Sequence, residues 1–187
     1  MAQVIPFEER AVARLRDRLG AAESANEDLI AFARGHSGAT AAIHAAVLAL
    51  INADGLFALF DVVRNDLPRL LGLDHAVLTL VVDGKGFRVE SGHVGTVEPR
   101  IVDRAIGQID PVTMRTVACG HPLFGSAARE IHSEALILLT ADAPLPYGLL
   151  LLGQKEAACL DNRHGAQLLG FLGASLSAML RRCLIDR

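Results

Sequence analysis

A chain of 187 residues, 51% hydrophobic and 21% charged, is long enough for one folded domain with an appendage and too apolar to be disordered. Its net charge of −3 offers no basic excess to neutralise phosphates, and 4% aromatic content leaves little surface for stacking bases, so nucleic acid is not an expected partner. No apolar run reaches the ~18 residues of a membrane span, the N-terminus lacks the basic and apolar stretches of a signal peptide, and the three cysteines, Cys119, Cys159 and Cys183, have no close-spaced pair; a cytoplasmic location and no membrane contact are expected.

The first element is helical. Val12, Leu15, Leu19, Ala22, Leu29 and Ala33 recur at heptad spacing, with Asn26 in an a position between them. One buried Asn at such a position fixes register and favours a two-stranded parallel coil. These residues are therefore the expected homodimer interface. Gly35, Ser37 and Gly38 interrupt the pattern, and the same frame resumes at Ile43, Val47 and Leu50. One long helix with a weak joint, or two helices end to end, is expected from about residue 7 to 53. The alternative is that this helix packs on its own domain. Residues 1–53 are read as a dimerising helical extension and 54–187 as the main domain.

Leu56, Leu59, Phe60, Val63, Leu67, Leu70 and Leu71 continue at helical spacing, with Pro68 placed to kink the helix and Gly72 to cap it. His75–Val82 reads as a strand, Asp83-Gly84-Lys85-Gly86 as a hairpin turn, and Phe87–Ser91 as the returning strand. Residues 92–132 are the least regular, with short helices expected at about Pro99–Ile106 and Ser126–His132. A long, weakly patterned stretch inside a domain commonly covers a pocket.

The last third is the most informative. An apolar run from Ser133 to Thr140, turn residues Ala141–Pro146, a second run from Tyr147 to Gly153 and an amphipathic helix from about Asp161 to Cys183 follow one another. Strand, turn, strand and closing helix, after the elements above, resemble the end of a GAF domain. Leu123-Phe124-Gly125, Ser133-Glu134-Ala135-Leu136, Gly148-Leu149-Leu150-Leu151-Leu152-Gly153 and Gly165-Ala166-Gln167-Leu168-Leu169-Gly170-Phe171-Leu172 occur in that order. Together they resemble the bacterial GAF-like family catalogued as domain-of-unknown-function four-eighty-four, over about Arg10 to Leu184. The resemblance implies an α/β (α+β) fold: an antiparallel sheet of five or six strands flanked by helices, behind a long N-terminal coiled helix with Asn at the place of Asn26. Departures are Leu160 where relatives have an aromatic residue, the lack of any Trp, and a shortened crossover at 116–124 that leaves less room for a pocket. The family has no established activity. Its genes tend to lie beside the tyrosine recombinase of chromosome-dimer resolution, which implies a link without a mechanism.

Phe87, His93, Arg115, Cys119, His121, Phe124 and Arg129 are the candidate ligand-binding residues, because GAF pockets are closed by the crossover. Arginine suits bidentate capture of an anion, and Arg100 and Arg104 lie in the same stretch. Cys119-Gly120-His121 places a thiol and an imidazole together. A metal there would need two further ligands; His93 and His132 are nearest, and no spacing rule joins them. Free methionine-R-sulfoxide reductase, an enzyme on this fold, uses pocket cysteines, and Cys119 is the residue that resembles one. No resolving cysteine is close in sequence, so a half-buried loop cysteine is the plainer reading. No catalytic residue and no metal site are assigned. The sequence has no GxxxxGK[ST], no GxGxxG and no NKFDE-type motif, so no cofactor is named. The expected function is a non-enzymatic regulatory or small-molecule-sensing homodimer acting through a separate, unidentified protein partner. A protein-interaction module with a self-filled pocket, and a thiol-dependent enzyme using Cys119, are the alternatives.

Overall fold

Ala76–Val81 is buried at every position, although a strand turns successive side chains to opposite faces. Such a strand must lie inside a sheet covered on both sides. In the computed structural model, which describes Arg18, Gly20, Glu23, Gly35 and residues 37–90, 93–140, 147–157 and 163–185, that is its place. The chain divides into two units, Met1–Ala39 and Thr40–Arg187. In the first, Arg18, Gly20, Glu23 and Gly35 are helical and exposed. Val12, Leu15, Leu19, Ala22, Asn26, Leu29 and Ala33, together with the turn at 141–146, Cys159 and Leu160, lie outside the described residues.

The second unit begins with a helix through residues 40–51 (α1). It continues with α2 (Leu56–Asp61), a π turn (Val62–Asp66), α3 (Leu67–Leu71), β1 (His75–Val82), β2 (Lys85–Glu90), β3 (His93–Val97), α4 (Pro99–Ile106), β4 (Val112–Thr116), a 3-10 segment (Pro122–Glu130), β5 (Ser133–Leu139), β6 (Tyr147–Gln154) and α5 (Arg163–Ile185). The strands form a six-stranded antiparallel sheet in the order β3-β2-β1-β6-β5-β4. Pro68 sits in the first turn of α3, where a missing N–H is tolerated, and the wider π turn just before it removes the clash of its ring with the preceding turn. Gly72 caps α3 in the left-handed conformation, as predicted.

The two faces of the sheet carry separate cores. On one, Leu78, Leu80, Ile137, Leu139, Leu150 and Leu152 pack against Ile43, Val47 and Leu50 of α1, Leu59 and Leu67 of the next helices, and Leu172, Leu176 and Leu180 of α5. On the other, Val77, Val81, Leu136, Leu149 and Leu151 pack against Val102 and Ala105 of α4 and Leu123, Phe124 and Ala128 of the 3-10 segment, with Ile131. This second face, under the crossover, is where the candidate residues were expected. Two strands, β3 and β4, lie inside the stretch that sequence patterning left irregular.

Candidate functional site

Register places His75, Gly153, Glu134 and Arg115 side by side across β1, β6, β5 and β4. Partners directly opposite in an antiparallel pair project to the same face, and Gly153 meets Phe124 and Ile131 of the crossover core, so this row lies under the crossover. Glu134 is fully buried there. A carboxylate in such a place must have its oxygens occupied. Oε1 accepts from Arg115 through Nε at 2.7 Å and Nη2 at 2.6 Å, and Oε2 accepts from the backbone N–H of His121 at 2.6 Å. Glu134 thus ties β4 and the Cys119–His121 loop to the centre of the sheet.

His121 begins the 3-10 segment as its cap: Nδ1 accepts from the Leu123 N–H at 3.2 Å, and its carbonyl accepts from the Phe124 N–H at 2.9 Å. Burial pushes the imidazole below its ordinary value; the Glu134 charge opposes that shift and the Arg115 charge adds to it. Cys119 is exposed, not half-buried. Its thiol donates to the Ala128 carbonyl at 3.4 Å, and the neighbouring Gly120 N–H donates to the same oxygen at 2.8 Å. These bonds close the loop onto the end of the 3-10 segment.

The middle of the crossover face is filled by side chains. Phe124 and Leu123 are 0% and 1% exposed. Phe124 and Ile131 occupy the space above Gly153: a β-carbon added there would lie 3.1 Å from the Phe124 ring and 2.8 Å from Ile131 Cδ1. Two rows further along the same face, Arg88 is opposite Thr79 and Gly95. Its guanidinium lies against Gly125, whose φ of 62° and ψ of −128° break the 3-10 segment in two. Nη2 of Arg88 pairs with Glu90 Oε1 at 2.9 Å, whereas its buried Nε has no hydrogen-bond partner among the described residues.

Of the residues expected to form a site, Arg115, Cys119, His121 and Phe124 come together at the crossover. Phe87 does not: opposite Leu80 and Thr96, it points to the other face from Arg88. His93 is exposed on edge strand β3, and Arg129 is exposed near the end of the 3-10 segment. Glu134 and Arg88 were not among the expected residues. The signal for Glu134 was a charge inside an otherwise apolar strand, opposite a glycine. Arg88 alternates with apolar neighbours in its strand, and only the register shows that it reaches the crossover. Among the described residues, no three of His, Cys, Asp and Glu come together to hold a metal ion.

The family described as "Protein of unknown function, DUF484" matches residues 1–184. No curated protein sequence matches the chain. Among solved structures, the GAF domain of a phosphoenolpyruvate-protein phosphotransferase (ptsP) from Coxiella burnetii is similar with a TM-score of 0.58 at 12% identity, over 81% of this chain and 97% of that one. The corresponding GAF domain from Acinetobacter gives 0.53 at 12% identity, over 78% and 95%. The chromophore-binding domain of bacteriophytochrome RpBphP3 from R. palustris gives 0.56 at 14% identity, over 78% of this chain and 62% of that one. In a longer structure of RpBphP3 the match spans 37% of that chain. At these identities the likeness concerns the fold, which is GAF-like.

Proposed function

We propose that this chain, which belongs to the DUF484 family, is a non-enzymatic regulatory domain that works as a homodimer on a separate protein partner, with the ligand space of its GAF-like fold filled by its own side chains. The observation that carries this reading is the complete burial of Leu123 and Phe124 in the core between sheet and crossover, with Phe124 and Ile131 filling the space over Gly153. The expected interface at Val12, Leu15, Leu19, Ala22, Asn26, Leu29 and Ala33 belongs to the same proposal. An enzymatic role for Cys119 draws little support from a thiol that donates to a backbone carbonyl. A Cys119→Ala variant is expected to keep every binding property.

A small-molecule sensor is the second reading. It is favoured by Arg88, a cation under the crossover with one buried donor unpaired among the described residues. Of the residues first expected to capture a ligand, His93, Arg115, His121 and Arg129 would then contribute, and Phe87, which points to the other face of the sheet, would not.

Phe124→Ala separates the two. Truncating a buried phenylalanine costs about 3–5 kcal/mol and leaves a dry apolar cavity. In the self-filled reading, benzene raises the melting temperature of this variant and leaves that of the wild type unchanged. Native mass spectrometry of gently purified wild type would show a dimer at bare chain mass. A dimer with bound extra mass favours the sensor, and a monomer overturns the homodimer.

A further inference from the structure

We propose that His121 is a proton-sensitive clasp: when its ring takes up a proton, the Pro122–Glu130 segment loses its cap and loosens from the sheet. His121 holds that segment at two points, through Nδ1 to the Leu123 N–H and through its carbonyl to the Phe124 N–H, while its own N–H is fixed on buried Glu134. A neutral imidazole has one acceptor nitrogen. Here that nitrogen is Nδ1, so the proton sits on Nε2. The imidazolium has no acceptor, and its Nδ1–H would point at the Leu123 N–H. The turn affected carries Leu123 and Phe124, whose side chains fill the crossover core.

The charged groups facing the ring are Glu134 on β5, which favours its protonation, and Arg115 on β4, which opposes it. Burial is the largest influence and keeps the ring below its ordinary value of 6.5. The native state therefore binds fewer protons than the unfolded chain. The stability that the neutral ring contributes is fully present above pH 6.5 and is lost as pH falls through the lowered native value.

Amide hydrogen exchange on the full chain, followed by NMR from mildly alkaline to mildly acidic pH and corrected for intrinsic rates, tests this. Protection of the Leu123 amide is expected to fall about fivefold relative to β1 amides, the size of one lost helix cap. His121→Asn supplies an oxygen acceptor that does not titrate, and its Leu123 protection is expected to stay level. A constant Leu123 protection in the wild type, or the same fall in His121→Asn, overturns the proposal. The imidazole nitrogen spectrum of the wild type gives a reading that needs no variant. Nδ1 must be unprotonated at neutral pH, and its titration must coincide with the loosening; a protonated Nδ1 or a separate midpoint overturns it.

Discussion

Glu134 sits on the inner face of an apolar strand, where a leucine would pack at no electrostatic cost. Its ion pair is asymmetric: the carboxylate is 0% exposed and the Arg115 side chain 45%. Removing the two partners should therefore have unequal effects. Arg115→Ala leaves a buried anion with one donor fewer and is expected to cost about 2 kcal/mol, below the usual range for a wholly buried pair because water reaches the vacated side. Glu134→Gln keeps an acceptor for the His121 N–H and leaves a half-exposed guanidinium to solvent, so about 1 kcal/mol is expected. Urea unfolding of both variants checks this; equal losses, or the reverse order, would mean that the loop and not the ion pair carries the energy. Cys119 and His121 were visible in the sequence as chemistry-bearing types in an irregular stretch. The residue that organises them was not, because a single charge in Ser133–Leu139 looks like a strand end until Gly153 is placed opposite it.

At the scale of elements, Gly125 shows how the crossover is fitted to the sheet. Its backbone lies where side chains are strained, and an added β-carbon would lie 2.9 Å from the Arg88 guanidinium. Gly125→Ala is expected to cost about 3 kcal/mol, about 1 kcal/mol of it from the clash. In an Arg88→Ala background the clash disappears, so the added cost of Gly125→Ala should drop by about 1 kcal/mol, read as the coupling in a double-mutant cycle. Zero coupling would show that Arg88 moves aside freely. The elements that patterning made legible are the apolar runs of β1, β5 and β6 and the amphipathic α4 and α5, which fall at or within a few residues of expectation. Strands β3 and β4 were not legible, for a physical reason. They are short, they lie at the two edges of the sheet, and their half-exposed residues show no strict alternation.

For the whole molecule, the direction of α1 decides what a second copy could touch. The heptad frame read from Val12 onward continues through Ile43, Val47 and Leu50, and these are 3%, 7% and 0% exposed within the domain's own core. In this stretch the frame serves the sheet, as the alternative reading of the helix had it. What α1 leaves outward is another stripe, Ala41, His44, Leu48 and Ile51, all exposed, at spacings of three, four and three. On α5, which covers the same face of the sheet, Gln167, Phe171, Ala174 and Ala178 are exposed at spacings of four, three and four. Leu48 and Phe171 are 58% and 51% exposed. A homodimer that used only residues 12–33 would not depend on these two side chains, whereas one that extended along the domain would bury them. Leu48→Lys with Phe171→Lys should leave folding within about 0.5 kcal/mol of wild type, because both sites are on the surface. If the helical layer forms part of the interface, sedimentation equilibrium will show the pair of lysines raising the dimer dissociation constant at least about tenfold, with an unchanged melting temperature at concentrations where both proteins are monomeric. An unchanged dissociation constant would confine the interface to the N-terminal heptads, where Asn26→Asp should then separate the protomers.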